Sequence, residues 1–257
     1  NTGDEVSFRA KSDRTSAQYP GNYFLFKMTG KIEAWHNVMS LYRTNDFATY
    51  ESVVEHAFYS LFDGCTSLVK APALPATTLA ASCYREMFRD CPSLTEAPEL
   101  PATTLASSCY ALMFYGCTSL TKAPVLPATT LASSCYYSMF LRCGILNEVH
   151  CQMPSTISER DVSSYTGSVT EAWLYDAPPT GTFYTNADAN WPSGASGIPY
   201  GWTRVNEVAK DDVTKPLTFK ATQDGSTVKL AKGGSPTGAF QTSRDGGNTW
   251  SDYTLDS

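Results

Sequence analysis

The chain is poor in the groups that reactive chemistry needs. It has three histidines, His36, His56 and His150, far apart and without shared spacing, which suits surface or cap residues better than ligands. It contains no H-E-x-x-H, no G-x-S-x-G and no G-x-x-x-x-G-K-[ST], so zinc-hydrolase, serine-hydrolase and phosphate-loop chemistries lack their motifs. No Cys-x-x-Cys pair occurs, which argues against a zinc site. Basic runs are absent, and the net charge is −6, from 25 acidic and 19 basic residues. Nucleic acid and anionic membranes are therefore poor partners. No apolar run approaches the ~18 residues of a membrane-spanning helix. There is no signal peptide at Asn1, so an exported protein would be represented by its mature part. From these absences we expect no catalytic residue, cofactor or metal.

What the chain has instead is a repeat. Three copies of a 26-residue unit begin CYREMFRDCPSLTEAPELPATTLASS at Cys83, CYALMFYGCTSLTKAPVLPATTLASS at Cys109 and CYYSMFLRCG at Cys135. A partial copy, AFYSLFDGCTSLVKAPALPATTLAAS, leads in with Ala57 and Phe58 in place of Cys-Tyr. A fixed period in this range marks a stacked architecture.

Leu131, Cys135, Met139 and Cys143 recur every four residues, with Tyr136 and Phe140 beside them. This stripe predicts a short helix of about three turns, with Ser133 and Ser134 as N-cap candidates. In Thr118–Pro127 two prolines forbid a helix and allow a short extended piece carrying Leu120, Ala123 and Leu126. One helix and one strand cannot bury their own apolar faces, but copies stacked on each other can.

The pattern MF-x-x-C-x-S-L-x-x-A-P-x-L-P-A-T-T-L-A-x-S-C-Y resembles the BspA-like leucine-rich repeats of Bacteroidetes surface proteins, over residues 57–147. The flanks GDEVSFRAKS, GKIEAWHNVMSL and GTFYTNADANWPSGASGIPYGWT resemble segments that accompany such repeats. The resemblance implies a right-handed solenoid at the bacterial cell surface, outside the cytoplasm, and adhesion to host or neighbouring-cell molecules. It carries over no catalytic residue. The expected fold class is α/β: a leucine-rich-repeat solenoid with one short helix and one short strand per unit, β-rich caps and a small all-β C-terminal module.

Four regions follow: a β-rich N-terminal cap over 1–52, the solenoid over 53–151, its C-terminal cap over 152–207, and a β-module over 208–257. In the first, Val6–Ala10 alternates as a strand. Residues 23–28 and 31–35 flank Thr29-Gly30 as a hairpin, and 37–42 reads as another strand. In the third, Ser168–Glu171 matches a capping box for a helix over 171–176 that packs Trp173 and Leu174 inward, and 181–184 reads as a strand. In the last, 208–215 reads as a linker, and 217–220 and 227–230 as strands. Ser243–Trp250 there fits the Asp-box pattern S-x-D-x-G-x-x-W, a tight hairpin turn closed by its own Asp, Gly and Trp. Sialidases carry several such boxes beside an arginine cluster; this chain carries one. The module's few strands cannot close a sandwich of usual size. Asn1–Phe8 would serve as the next strand if another copy followed, as in a longer tandem protein.

The eight cysteines, Cys65, Cys83, Cys91, Cys109, Cys117, Cys135, Cys143 and Cys151, are spaced 18, 8, 18, 8, 18, 8 and 8. An even count in a surface protein suits disulfides. The periodic placement in the apolar stripe favours buried free thiols acting as small hydrophobes. Cys151 breaks the period.

The units differ at a few positions. Lys70, Glu96 and Lys122 are equivalent, and stacked about 5 Å apart they would form a plus-minus-plus ladder. Either a partner or mutual pairing would satisfy it. Arg85, Ala111 and Tyr137 are equivalent, as are Glu86, Leu112 and Ser138, and Arg89, Tyr115 and Leu141. Helix geometry would turn these outward, leaving Leu112, Tyr115, Tyr137 and Leu141 as an exposed patch, unless residues 150–175 cover it. The expected function is a non-enzymatic adhesin or binding module for a host or neighbouring-cell protein or glycan. The alternatives are a spacer or self-assembling unit whose partner is its own next copy, and a sialidase-like glycan-processing enzyme.

Overall fold

The structure, a computed structural model, describes residues 7, 25–28, 30–153, 168–186, 191–194, 196–207, 240–242 and 251–253. The chain divides into two compact units, Asn1–Lys210 and Asp211–Ser257. The strands expected at 6–10 (residue 7 apart), 217–220 and 227–230, and the linker at 208–215, fall outside the described residues.

In the first unit the 26-residue segments lie on one another in parallel register. Ser52 bridges to Thr78, Lys70 to Glu96, Thr104 to Thr130, and Lys122 to Glu148. Strand β1 (Ile32–Glu33) pairs in parallel with β2 (Leu68–Lys70). At the other end β3 (Glu148–Cys151), β4 (Thr182–Asn186) and β5 (Thr203–Glu207) form a parallel sheet in that order.

The expected helix over 131–143 does not form; consecutive turns occupy it and its equivalents. The N–H groups of Cys83, Arg85, Met87 and Arg89 bond the carbonyl three residues back, at 3.1–3.3 Å. The alternate N–H groups, from Ser82, Tyr84, Glu86, Phe88 and Asp90, reach the next segment's carbonyls at Ser107, Cys109, Ala111, Met113 and Tyr115, at 2.7–3.0 Å. An α-helix would keep all these bonds to itself. Every fourth residue takes a left-handed φ: Ser82, Glu86 and Asp90, then Ser108, Leu112 and Gly116, then Ser134, Ser138 and Arg142. Each non-glycine costs on the order of 1 kcal/mol there. The lateral bonds, about 0.5–1.5 kcal/mol each, offset it. At the tightest position Gly116, with φ +72°, faces the Asp90 carboxylate of the preceding segment, which a Cβ would meet.

The same ribbon continues beyond the repeats. Tyr136, Ser138, Phe140 and Arg142 donate to the carbonyls of Val169, Glu171, Trp173 and Tyr175. Residues 171–176, expected as a helix, are thus turns with left-handed Ala172 and Asp176. Trp173 and Leu174 are buried, as expected.

Two aromatic columns run through the stack. Phe58, Tyr84, Tyr110 and Tyr136 stack with centroids 5.6, 6.0 and 6.1 Å apart. Phe62, Phe88, Phe114 and Phe140 do so at 5.5, 5.6 and 5.7 Å. Tyr42 and Phe26 close the columns at one end, and Trp173 closes both at the other. The Trp173 indole N–H bonds the Gly197 carbonyl at 3.0 Å, so its burial leaves no donor unmet.

The N-terminal region differs from expectation. Ile32–Glu33 pairs with β2 instead of folding back on 25–28. Phe26 bonds the Leu61 carbonyl and stacks on Phe62 at 5.3 Å, covering an end that a hairpin would leave open. Val38–Leu41 is a turn of 3-10 helix where a strand was expected, because Asn37 caps it: Asn37 Oδ1 accepts the Met39 N–H at 2.8 Å. In the second unit β6 (Phe240–Thr242) pairs antiparallel with β7 (Ser251–Tyr253), the segments flanking the Asp-box, whose own residues are not described.

Candidate recognition surface

All eight cysteines are buried free thiols. Seven of them, all but Cys151, form two columns with different bonding. Cys65, Cys91, Cys117 and Cys143 donate Sγ–H to the carbonyls of Phe26, Phe62, Phe88 and Phe114, each in the preceding segment, at 3.0–3.1 Å. Cys83, Cys109 and Cys135 pack as plain apolar groups. Burial pushes the thiols of Cys83, Cys135, Cys143 and Cys151 up to about 12. They are poor nucleophiles in that state. Among the described residues no three His, Cys, Asp or Glu side chains converge as metal ligands.

The four residues expected as an exposed patch are not exposed. Leu112, Tyr115, Tyr137 and Leu141 are all half-buried. Their columns include fully covered members, Ala111, Glu86 at 7% exposure and Ser138 at 2%. The turn ribbon, unlike a helix, tucks every fourth residue against the next segment. The Tyr115 ring lies between the guanidinium groups of Arg89 and Arg142, 5.8 and 5.4 Å from its centroid.

Arg85 and Arg89 belong to one charge cluster with Glu86. Glu86 accepts from Tyr59, Ser60, Arg85 and Arg89 at 3.1–3.4 Å. Arg89 also approaches Asp63 and Asp90 at 3.9 and 3.4 Å. The buried carboxylate is engaged by four donors of its own chain, as buried charge requires.

The ladder residues lie on the strand side. Lys70 and Glu96 are backbone neighbours, and Lys122 forms an ion pair with Glu148 at 2.6 Å. Glu148 is the fourth member of this column, 26 residues beyond Lys122, and a period count alone would have found it. Its carboxyl is held below the usual range by hydrogen bonds from Lys122 and then His150. His150 stacks on Tyr184 with centroids 4.1 Å apart.

A second missed column is the variable residue of Ala-Pro-x-Leu-Pro: Ala73, Glu99 and Val125, all exposed. Here a groove of about 360 Å³ runs between the first two segments and the β1 strand's exit. Trp35, 58% exposed, forms one wall, with the Lys70 ammonium 4.1 Å from its ring centroid. Glu96 and Glu99 also line it. Their departure from an otherwise repeated motif was the available signal. Trp35 lies outside the repeat and gave none.

Comparison with protein-family models, with curated proteins and with solved structures found no match.

Proposed function

We propose that the chain is a non-enzymatic recognition module of the cell surface, built as a right-handed leucine-rich-repeat-like solenoid between caps, that binds a protein or glycan. One observation carries this reading. The residues that repeat, Cys, Tyr, Met, Phe and Leu, are the buried columns. Two columns that differ between units, Lys70/Glu96/Lys122 and Ala73/Glu99/Val125, stand at the strand-side surface. Such a scaffold presents different side chains on one rigid frame, with little ordering cost on binding. A glycan array and a panel of host-matrix proteins probed with the purified chain test it. A saturable ligand supports the reading, and none across both panels removes it. The Tyr115→Ser/Tyr137→Ser double variant reports whether the half-buried patch takes part.

A second reading, a spacer that assembles with its own next copy, draws on the parallel edge strand β5, which pairs only with β4 among the described residues. Light scattering tests it: concentration-dependent oligomers favour it over the first reading. The glycan-processing alternative rests on the Asp-box alone, and turnover of sialosides by the purified chain would be needed to keep it.

A further inference from the structure

We infer that the groove beside Trp35 is a binding site for an extended polypeptide segment carrying arginine or lysine. This rests on the recognition reading above and names a partner class for it.

The argument is an inventory of donors and acceptors. Four prolines, Pro72, Pro75, Pro98 and Pro101, line the groove. None of them has a backbone N–H to donate. Glu96 and Glu99 add two exposed carboxylates. Among the described residues the lining includes one lysine, Lys70, which already lies against the Trp35 ring at 4.1 Å, and one imidazole, His36. Among the described residues the charged side chains of the lining are thus one ammonium against two carboxylates. A ligand that fits must bring donors and positive charge. Lys70 shows that the indole accepts a cation from this chain; the ring's large exposed area leaves room for a second, in the geometry that favours guanidinium over ammonium. Proline fixes its own φ and favours an extended residue before it, so the lining backbone is stiff and suits an extended segment laid beside an exposed aromatic ring, as in aromatic-lined peptide grooves.

The probes are the peptides acetyl-Arg-Pro-Pro-Arg-Pro-Pro-Arg-amide and its Glu and Gln counterparts, with a neutral oligosaccharide, cellotetraose, as a separate arm. Binding to the full chain is read from the Trp35 indole N–H resonance, assigned with Trp35→Phe. The arginine peptide is expected to shift this resonance saturably, and the Glu peptide to leave it in place. Trp35→Ala should weaken binding about tenfold, and Glu96→Gln/Glu99→Gln about fivefold. Lys70→Ala, which frees the ring and removes the competing charge, should strengthen it about threefold. Both Trp35 and the two glutamates are exposed, so these variants keep the buried columns; unchanged thermal unfolding checks this. Equal binding of all three peptides, or none at millimolar concentration, overturns the inference. So does a shift with cellotetraose alone, or an indole shielded from acrylamide in the free chain, which would mean that the chain fills its own groove. A ligand found by the panels with no peptide binding here sinks this inference and leaves the recognition reading standing.

Discussion

Removing the Cys117 thiol isolates what a buried cysteine does between stacked segments. Its Sγ donates to the Phe88 carbonyl at 3.1 Å. At Phe62 and Phe114 the same carbonyl also accepts a backbone N–H, from Cys65 and Cys117, at 3.1 Å. Phe88 has the thiol as its one partner among the described residues. Cys117→Ala therefore loses the sulfur's burial, about 1 kcal/mol, and leaves a buried carbonyl unmet, about 1–3 kcal/mol. Because a thiol is a weak donor, the total should fall near 2–3 kcal/mol. Two controls are built in. Cys143→Ala leaves the Phe114 carbonyl its N–H bond, and Cys109→Ala removes a thiol that donates to no carbonyl among the described residues. Each should cost only about 1 kcal/mol. Cys117→Ser keeps a donor and should recover part of the difference. Urea unfolding under reducing conditions measures all four, provided the denaturant slope is unchanged. If the three alanine variants agree within ~0.5 kcal/mol, the thiol–carbonyl bond contributes nothing and the reasoning fails.

Three further outcomes follow from the same stack. The Tyr84 and Tyr110 hydroxyls are buried without a partner among the described residues, and Phe58 fills the same column without one; Tyr84→Phe and Tyr110→Phe should be neutral or stabilise by up to about 1 kcal/mol, and a loss above that in urea unfolding would point to an unrecognised hydroxyl partner. Trp173 closes both aromatic columns, so Trp173→Ala should destabilise by about 3–5 kcal/mol and lower the thermal midpoint, whereas an exposed-site cost under 1 kcal/mol would deny it that role. Burial raises the folded pKa of Cys83, Cys135, Cys143 and Cys151 to about 12; the neutral thiols' contribution is intact below their unfolded value of roughly 8.5 and is lost as pH climbs toward the folded one, at up to ~1.4 kcal/mol per pH unit each. The urea midpoint should fall steeply between about pH 9 and 12, and a midpoint flat to about pH 11 would contradict thiols shielded in the fold.

The stacking was legible because the period is strict and the invariant residues are apolar; each lands in a buried column. The helix was misread for a reason visible in the same residues. Leu131, Cys135, Met139 and Cys143 keep a spacing of four without the alternating three that a 3.6-residue turn demands. A four-residue cycle with Gly64, Asp90 or Gly116 at its end fits turns with a left-handed step. The expectation that Tyr115 and Tyr137 are exposed fails for the same reason, since helix geometry turns them outward and the turn ribbon leaves them half-buried. Lys70, Glu96 and Lys122 were legible as a column, because a strand-side charge in a strict repeat has one place to go. Trp173 was legible as an inward residue of the C-terminal cap; Trp35 and the contacts by which Phe26 and Tyr42 close the columns were not, as they depend on chain outside the period meeting it at its ends.

The most direct test of the stack is deletion of one whole unit, residues 83–108, which joins Ser82 to Cys109 and brings Phe58 under Tyr110 in the same columns. The shortened chain is expected to fold cooperatively with the same circular-dichroism spectrum and a smaller denaturant slope, while deletion of the half-unit 83–95 should unfold it. If both deletions unfold the chain, or both leave it equally folded, the segments are not interchangeable layers and the account is wrong.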